Sequence, residues 1–273
     1  MHSGRLFLIA FLALLSLLLL QLIPKRSTTL AELTPSEPLF YFEMHPRSLH
    51  FESSREKVLG QLGEEPERIT AAIGKLAERE RQLVEELLAD PETNLAVAAY
   101  NFNRHTPDRI HFDFLFCAQT SRDRFPELSD LAGRWIGRAI PPARYIEMQK
   151  TPRLGVFIGE PPRRLYVYED CPTYAVSNSP DLITRLLEIR YKGHPALAGQ
   201  SDFQKMERAV SSSEGALFYM SLADLVRQRD AALAVPLLSV LQALRISEWR
   251  CLGYHWSEVQ GQLVQRTILI ERR

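Results

Sequence analysis

The sequence predicts an α+β protein: an N-terminal transmembrane helix, then antiparallel sheet with helices on one face. Three observations predict it. Leu6–Ile23 is an uncharged apolar run whose only polar members are Ser16 and Gln21. The tripeptide Leu-Phe-Tyr occurs twice, at 39–41 and 217–219, each time followed by helical and then hairpin-like sequence. Within the hairpins, apolar residues recur with period two, as in Ile110, Phe112, Phe114 and Phe116 or Leu252, Tyr254 and Trp256, the spacing of a half-buried strand.

The run from Leu6 to Ile23 has 18 residues, close to the ~20 that cross a ~30 Å hydrocarbon core as a helix. A secretory signal has an apolar core of about 7 to 15 residues and a small-x-small cut site. Here the core is longer, and Gln21-Leu22-Ile23-Pro24-Lys25-Arg26 offers no such site. An uncleaved single-pass signal-anchor is therefore expected at residues 6–23, with 1–5 as a short inside stub. The positive-inside rule sets Arg5 and the α-amino group against Lys25 and Arg26. The shortness of the stub decides for an exported body, extracytoplasmic and facing the periplasm from a bacterial inner membrane. Residues 24–38 read as a linker. Beyond it, 39–140 form a first α+β unit and 141–273 a second, continuous with the first or separate.

Composition narrows the function. The 273 residues include 33 basic and 33 acidic ones, so no net field attracts nucleic acid. With 45% hydrophobic and 24% charged residues, the chain has the make-up of a folded protein.

Element by element, Leu39-Phe40-Tyr41 continues into Phe42-Glu43-Met44 as a strand. Helical sequence follows from Pro46 to Ala89, then strands Asn94–Phe102 and Arg109–Gln119 joined by the turn-rich Asn103–Asp108. Leu128, Leu131, Trp135 and Ile136 mark a helix over Arg122–Arg138. Strand-like runs come next at Arg144–Gln149, Leu154–Gly159, Arg163–Glu169 and Thr173–Val176. Ser179-Pro180-Asp181 opens a helix with a cap residue, a first-turn proline and an acid at the positive helix end. The second Leu-Phe-Tyr then leads to helical sequence from Leu222 to Arg245. Strands Glu248–Ser257 and Gln262–Glu271 follow, turned at Val259-Gln260-Gly261. Both units read strand, helix, hairpin, the layout a duplication leaves.

One order of segments carries a resemblance. Leu154–Gly159, Arg163–Glu169, Tyr174–Ser177, Ser179–Leu187, Gln200–Phe203 with Met206, and Gly215–Asp224 together resemble a bacterial family of membrane-anchored extracytoplasmic proteins of unknown function. The resemblance covers roughly 153–273 and has an echo in 39–118. It implies an exported body and a repeated strand-helix-hairpin layout, and it transfers no catalytic residue.

Signatures of known chemistry do not occur: no G-x-S-x-G, HExxH, G-x-G-x-x-G, phosphate loop or EF-hand loop. No cofactor is expected and no metal site. The best polar cluster is His105, Asp108, His111 and Asp113. On a strand, His111 and Asp113 share the face opposite the phenylalanine row. An imidazole beside a carboxylate is the pair that general-base or metal chemistry uses, whereas a solvated strand face explains the same residues more plainly. Arg163 and Arg164, with Arg153, offer a basic turn that could meet anionic headgroups or a partner; a solvated turn is the plainer account.

In the helical stretch Glu67–Ala89, Ile69, Leu76 and Leu83 recur every seven residues, and Glu80 interrupts the neighbouring ridge. That seam makes Leu76 and Leu83 candidate partner-binding or self-association residues, with packing on the sheet as the alternative. Cys117, Cys171 and Cys251 form no CxxC and read as three small buried apolar side chains, one disulfide being left open. The leading functional reading is a non-catalytic binding or assembly module, held to the membrane through 6–23 and meeting an envelope protein or its own copy. The alternatives are an anchored hydrolase or metal-dependent enzyme using His111 and Asp113, and a lipid-binding module with a cavity between sheet and helices.

Overall fold

Ten strands join one antiparallel sheet, whose order across its width is β10-β9-β8-β1-β2-β3-β7-β6-β5-β4. The computed structural model describes residues 29–45, 78–106, 109–141, 143–159, 163–210, 215–227, 249–260 and 262–271, with the backbone alone described between 102 and 111. The strands are β1 (Phe40–Met44), β2 (Asn94–Thr106), β3 (Arg109–Gln119), β4 (Arg144–Lys150), β5 (Arg153–Ile158), β6 (Arg164–Asp170), β7 (Thr173–Ser177), β8 (Ala216–Ser221), β9 (Trp249–Val259) and β10 (Gln262–Glu271). Among the described residues five helices accompany them: α1 (Glu78–Ala89), α2 (Phe125–Ala139), α3 (Pro180–Lys192), α4 (Ser201–Val210) and α5 (Leu222–Arg227). Of the helical sequence predicted over Pro46–Ala89 and Leu222–Arg245, α1 and α5 lie within the described residues. Leu76, the rest of both stretches and the predicted anchor at 6–23 lie outside them. Among the described residues no helix is long and apolar enough to cross a membrane.

The repeated tripeptide has a structural meaning. β1 and β8 pair antiparallel at the centre of the sheet with Tyr41 directly opposite Tyr219. A half-turn about the point between them carries β1 onto β8, β2 onto β9 and β3 onto β10. The registers agree, since Tyr41 faces Ala98, which faces Leu115, while Tyr219 faces Gly253, which faces Ile268. The meander β4–β7 extends the sheet beyond β3.

Period-two alternation fixes which side chains face which layer. On one face, Tyr41, Ala98, Leu115, Cys117, Tyr168 and Ala175 pack with Leu182, Ile183 and Leu186 of α3 and Phe203 and Met206 of α4. On the other, Val167, Tyr174 and Val176 pack with Ile136 of α2 and with Ile140 just after it. Further along that second face runs an aromatic row, Phe40–Phe218–Tyr254–Trp256, with ring centroids 5.8 to 6.3 Å apart. Helices thus lie on both faces of the sheet, α3 and α4 on one and α2 on the other, where the sequence predicts them on one. Strand β7, between these layers, has all five residues buried, yet it reads Thr-Tyr-Ala-Val-Ser, without the long apolar run by which a strand buried on both faces is recognised.

Residues 24–38, read as a linker, are corrected from Thr29 onward. A 3-10 turn at Leu30–Glu32 lies over the sheet, with Leu30, Ala31, Thr34 and Leu39 buried. The Leu30 N–H donates to the Glu43 carboxylate at 2.9 Å. Tyr100 Oη donates to the Pro35 carbonyl at 2.9 Å, the Leu197 N–H to the Thr34 carbonyl at 2.8 Å, and Arg185 to the Ser36 carbonyl at 2.9 Å. Leu30, Ala31 and Leu33, scattered among prolines and threonines, carry too little periodicity to register as an element, yet they pack on the core beside the second 3-10 turn, Leu197–Gly199. Glu43 is the polar centre of this strap. Burial pushes its carboxyl above the ordinary value, although Tyr41 Oη (2.6 Å) and the Leu30 N–H both donate to it.

Candidate functional site: an apolar cleft between two helices and the sheet

Helices α1 and α2 lie side by side on the second face, over the ends of β2 and β3, and leave a cleft of about 150 Å³ between them. Val84, Leu87 and Leu88 of α1 form one wall and Leu128, Leu131, Ala132 and Trp135 of α2 the other, above a floor of Leu95, Phe116 and Ala118. Thr93, Gln119 and Thr120 complete the lining at the strand ends, and the walls themselves are apolar. Trp135 stays 39% exposed at the rim, an unusual position for the largest apolar side chain.

The walls are held by charge. Glu80, buried on α1, accepts both Arg138 guanidinium nitrogens at 2.7 and 2.9 Å, and Arg134 approaches to 3.9 Å. Hydrogen bonding from Arg138 holds the Glu80 carboxyl below its ordinary value. Further along, Arg124 ahead of α2 bonds Glu86 at 2.6 Å. The polar Glu80 that interrupts the ridge beside the seven-residue seam is therefore the clasp between the helices. At the strand ends, Thr93 and Thr120 share a hydrogen bond of 2.9 Å, and Asp90 accepts from Ser121, from Thr120 and from the Glu92 N–H. Burial pushes Asp90 up, but those donors outweigh it and hold the carboxyl below the ordinary range.

The residues singled out from sequence do not converge here. Leu83 is half-buried on α1 but lies outside the cleft lining, which uses the adjacent ridge of Val84, Leu87 and Leu88. Asp113 sits on β3 two residues from His111, whose backbone alone is described, and accepts from Asn101 at 3.3 Å. By alternation Asp113 belongs with Leu115 and Cys117 on the other face, toward the far end of the strands. Among the described residues no three His, Cys, Asp or Glu side chains are grouped to hold a metal ion.

Arg163 and Arg164 are exposed at the β5–β6 turn. Arg153, grouped with them from sequence, stands at the opposite end of that hairpin. There it meets Glu169 at 3.3 Å and Glu147 at 3.6 Å and lies over the Tyr145 ring. The expected basic patch of three is thus two residues, because the hairpin separates them by the length of β5.

The cysteines are all free. Cys117 and Cys251 are buried as expected, their thiols pushed up to about 12 chiefly by burial. Cys171, in the β6–β7 turn, is exposed. Sequence periodicity had marked Leu128, Leu131 and Trp135, but Ala132 carries no hydrophobic signal of its own and went unmarked.

No family model matches this chain, and no curated protein does. Two solved structures are similar to it. The structure of crystal form III of TP0453 has a TM-score of 0.42 and 11% identity, over 88% of this chain and 78% of that one. Crystal form I of TP0453 has a TM-score of 0.42 and 9% identity, over 90% of this chain and 79% of that one.

Proposed function

We propose that this chain is a single-pass membrane-anchored protein whose extracytoplasmic body is a non-catalytic binding module, the cleft between α1 and α2 receiving an apolar side chain of an envelope protein partner. The cleft carries this reading. Pockets for lipids and other small ligands run from about 300 Å³ upward, twice the 150 Å³ present. An apolar cavity of about 150 Å³ takes a benzene ring, the size of one anchoring Phe or Leu. A buried pocket rimmed by an aromatic is also where binding energy concentrates in protein interfaces. The apolar run 6–23 supports the anchor, and the half-turn relation between β1–β2–β3 and β8–β9–β10 supports a duplicated strand-helix-hairpin unit as the origin of the body.

The test is co-purification from detergent-solubilised membranes with the full-length chain as bait. Trp135→Glu places a charge at the rim, where its exposure spares the core. The proposal expects a defined partner band that this variant loses while its melting temperature stays near wild type. A band retained in full by a folded Trp135→Glu protein overturns the use of this cleft.

A further inference from the structure

The strap reaches further than packing. A free linker of residues 24–38 would let the body wander up to ~50 Å from the end of the apolar run, at ~3.4 Å per residue. With Thr29 onward locked, only the five residues Pro24 to Thr28 remain, and they reach at most ~20 Å in any conformation.

The place where this tether leaves the body is defined by register. Leu30 is bonded to Glu43; Glu43 faces Ala96, which faces Cys117. One residue along, Leu95 and Ala118 form the floor of the cleft on the opposite face of the sheet. Tether exit and cleft therefore share one end of the central strands, separated by little more than the sheet and a helix layer. The other strand ends lie far away: β2 alone, Asn94 to Thr106, is ~40 Å long. Arg164 lies toward that other end, ~20 Å along β6 from Asp170, since it begins β6 opposite Ile158 while Asp170, at the end of β6, pairs with Thr173.

We propose that the shortened tether presses the end of the body bearing Glu92, Thr93 and Thr120 against the lipid headgroups, so that the cleft opens at the bilayer surface. This rests on residues 6–23 being the anchor. It assigns the lipid surface as the neighbour of the cleft end, and directs Arg163 and Arg164 away from the membrane.

The experiment uses the full-length chain reconstituted in phosphatidylcholine vesicles, with Cys171→Ser removing the exposed thiol. A fluorophore is attached in turn at Glu92→Cys and at Arg164→Cys, both exposed positions. Quenching by lipids carrying a headgroup nitroxide is then measured. The expected result is several-fold stronger quenching at position 92, with the contrast abolished by inserting about twenty Gly/Ser residues after Thr28. Equal quenching at both positions, or stronger quenching at 164, in protein that stays in the vesicles overturns the orientation. Protein that washes off the vesicles in alkaline carbonate overturns the anchor itself, an outcome read separately in the pelleting step.

Discussion

Filling the cleft is the perturbation that separates its two roles, as a void in the folded body and as a receptor. Ala132 stands on the α2 wall, and Ala132→Leu adds three carbons into the space between the apolar helix walls. At ~0.8 kcal/mol per buried methylene the transfer gain is ~2.4 kcal/mol. Fixing the leucine rotamer costs ~0.5–1 kcal/mol, and the helix loses only a small fraction of that on exchanging alanine for leucine. Filling the whole 150 Å³ at ~24 cal/mol per Å³ would yield ~3.6 kcal/mol as an upper bound. The expected outcome is a protein more stable by about 1–1.5 kcal/mol, read as a rise of a few degrees in melting temperature. The same protein has lost its partner in co-purification. Urea unfolding with an unchanged m-value checks the stability half. A loss of more than ~1 kcal/mol would show that the space is already filled and refute the reasoning.

Other outcomes follow from the same geometry. Leu30→Ala, at a fully buried position of the strap, is expected to cost about 2–5 kcal/mol in urea unfolding, where a true linker residue would cost less than ~0.5 kcal/mol. Glu43 has a folded-state value raised by burial, so its contribution is most favourable below the ordinary carboxylate value and is lost as pH rises through the raised one. Wild type should therefore gain stability relative to Glu43→Gln as pH falls from neutral, and a difference independent of pH would contradict this. Glu80→Gln opens the clasp to Arg138, which hydrogen exchange should report as faster exchange confined to α1; unchanged protection would contradict it. A thiol reagent added to the native protein should titrate one cysteine, Cys171, with Cys117 and Cys251 reacting only after denaturation.

Much of the architecture is written in local pattern. The hairpin strands fall where alternation places them, β3 at Arg109–Gln119 and β10 at Gln262–Glu271. The helix α3 begins at the proline and acid that signal it and ends at Gly193, whose φ of 69° is the left-handed conformation that suits glycine after a helix. Even the repeated Leu-Phe-Tyr marks a real relation, the Tyr41–Tyr219 pair at the centre of the sheet.

What sequence hid was tertiary. Leu30 and Ala31 look like linker residues because their partners, Glu43 and Leu197, are distant in the chain. β7 conceals two-sided burial because Tyr, Ala and Val suit one-sided strands as well. The cleft combines Ala132, Val84 and Phe116 from three elements, and no spacing in one element can announce it. Glu80 looked like a flaw in an apolar ridge until Arg138 of α2 stood beside it.

The proposed function is that of a membrane-held body that accepts a protein side chain between α1 and α2. Its most direct measurement replaces Trp135 with a photo-crosslinking amino acid in the full-length chain, irradiated in intact membranes, with Ala132→Leu as the matched control. A single discrete protein adduct, absent when the cleft is filled, is the predicted result. Adducts to lipid alone, or protein adducts undiminished by Ala132→Leu, would contradict it.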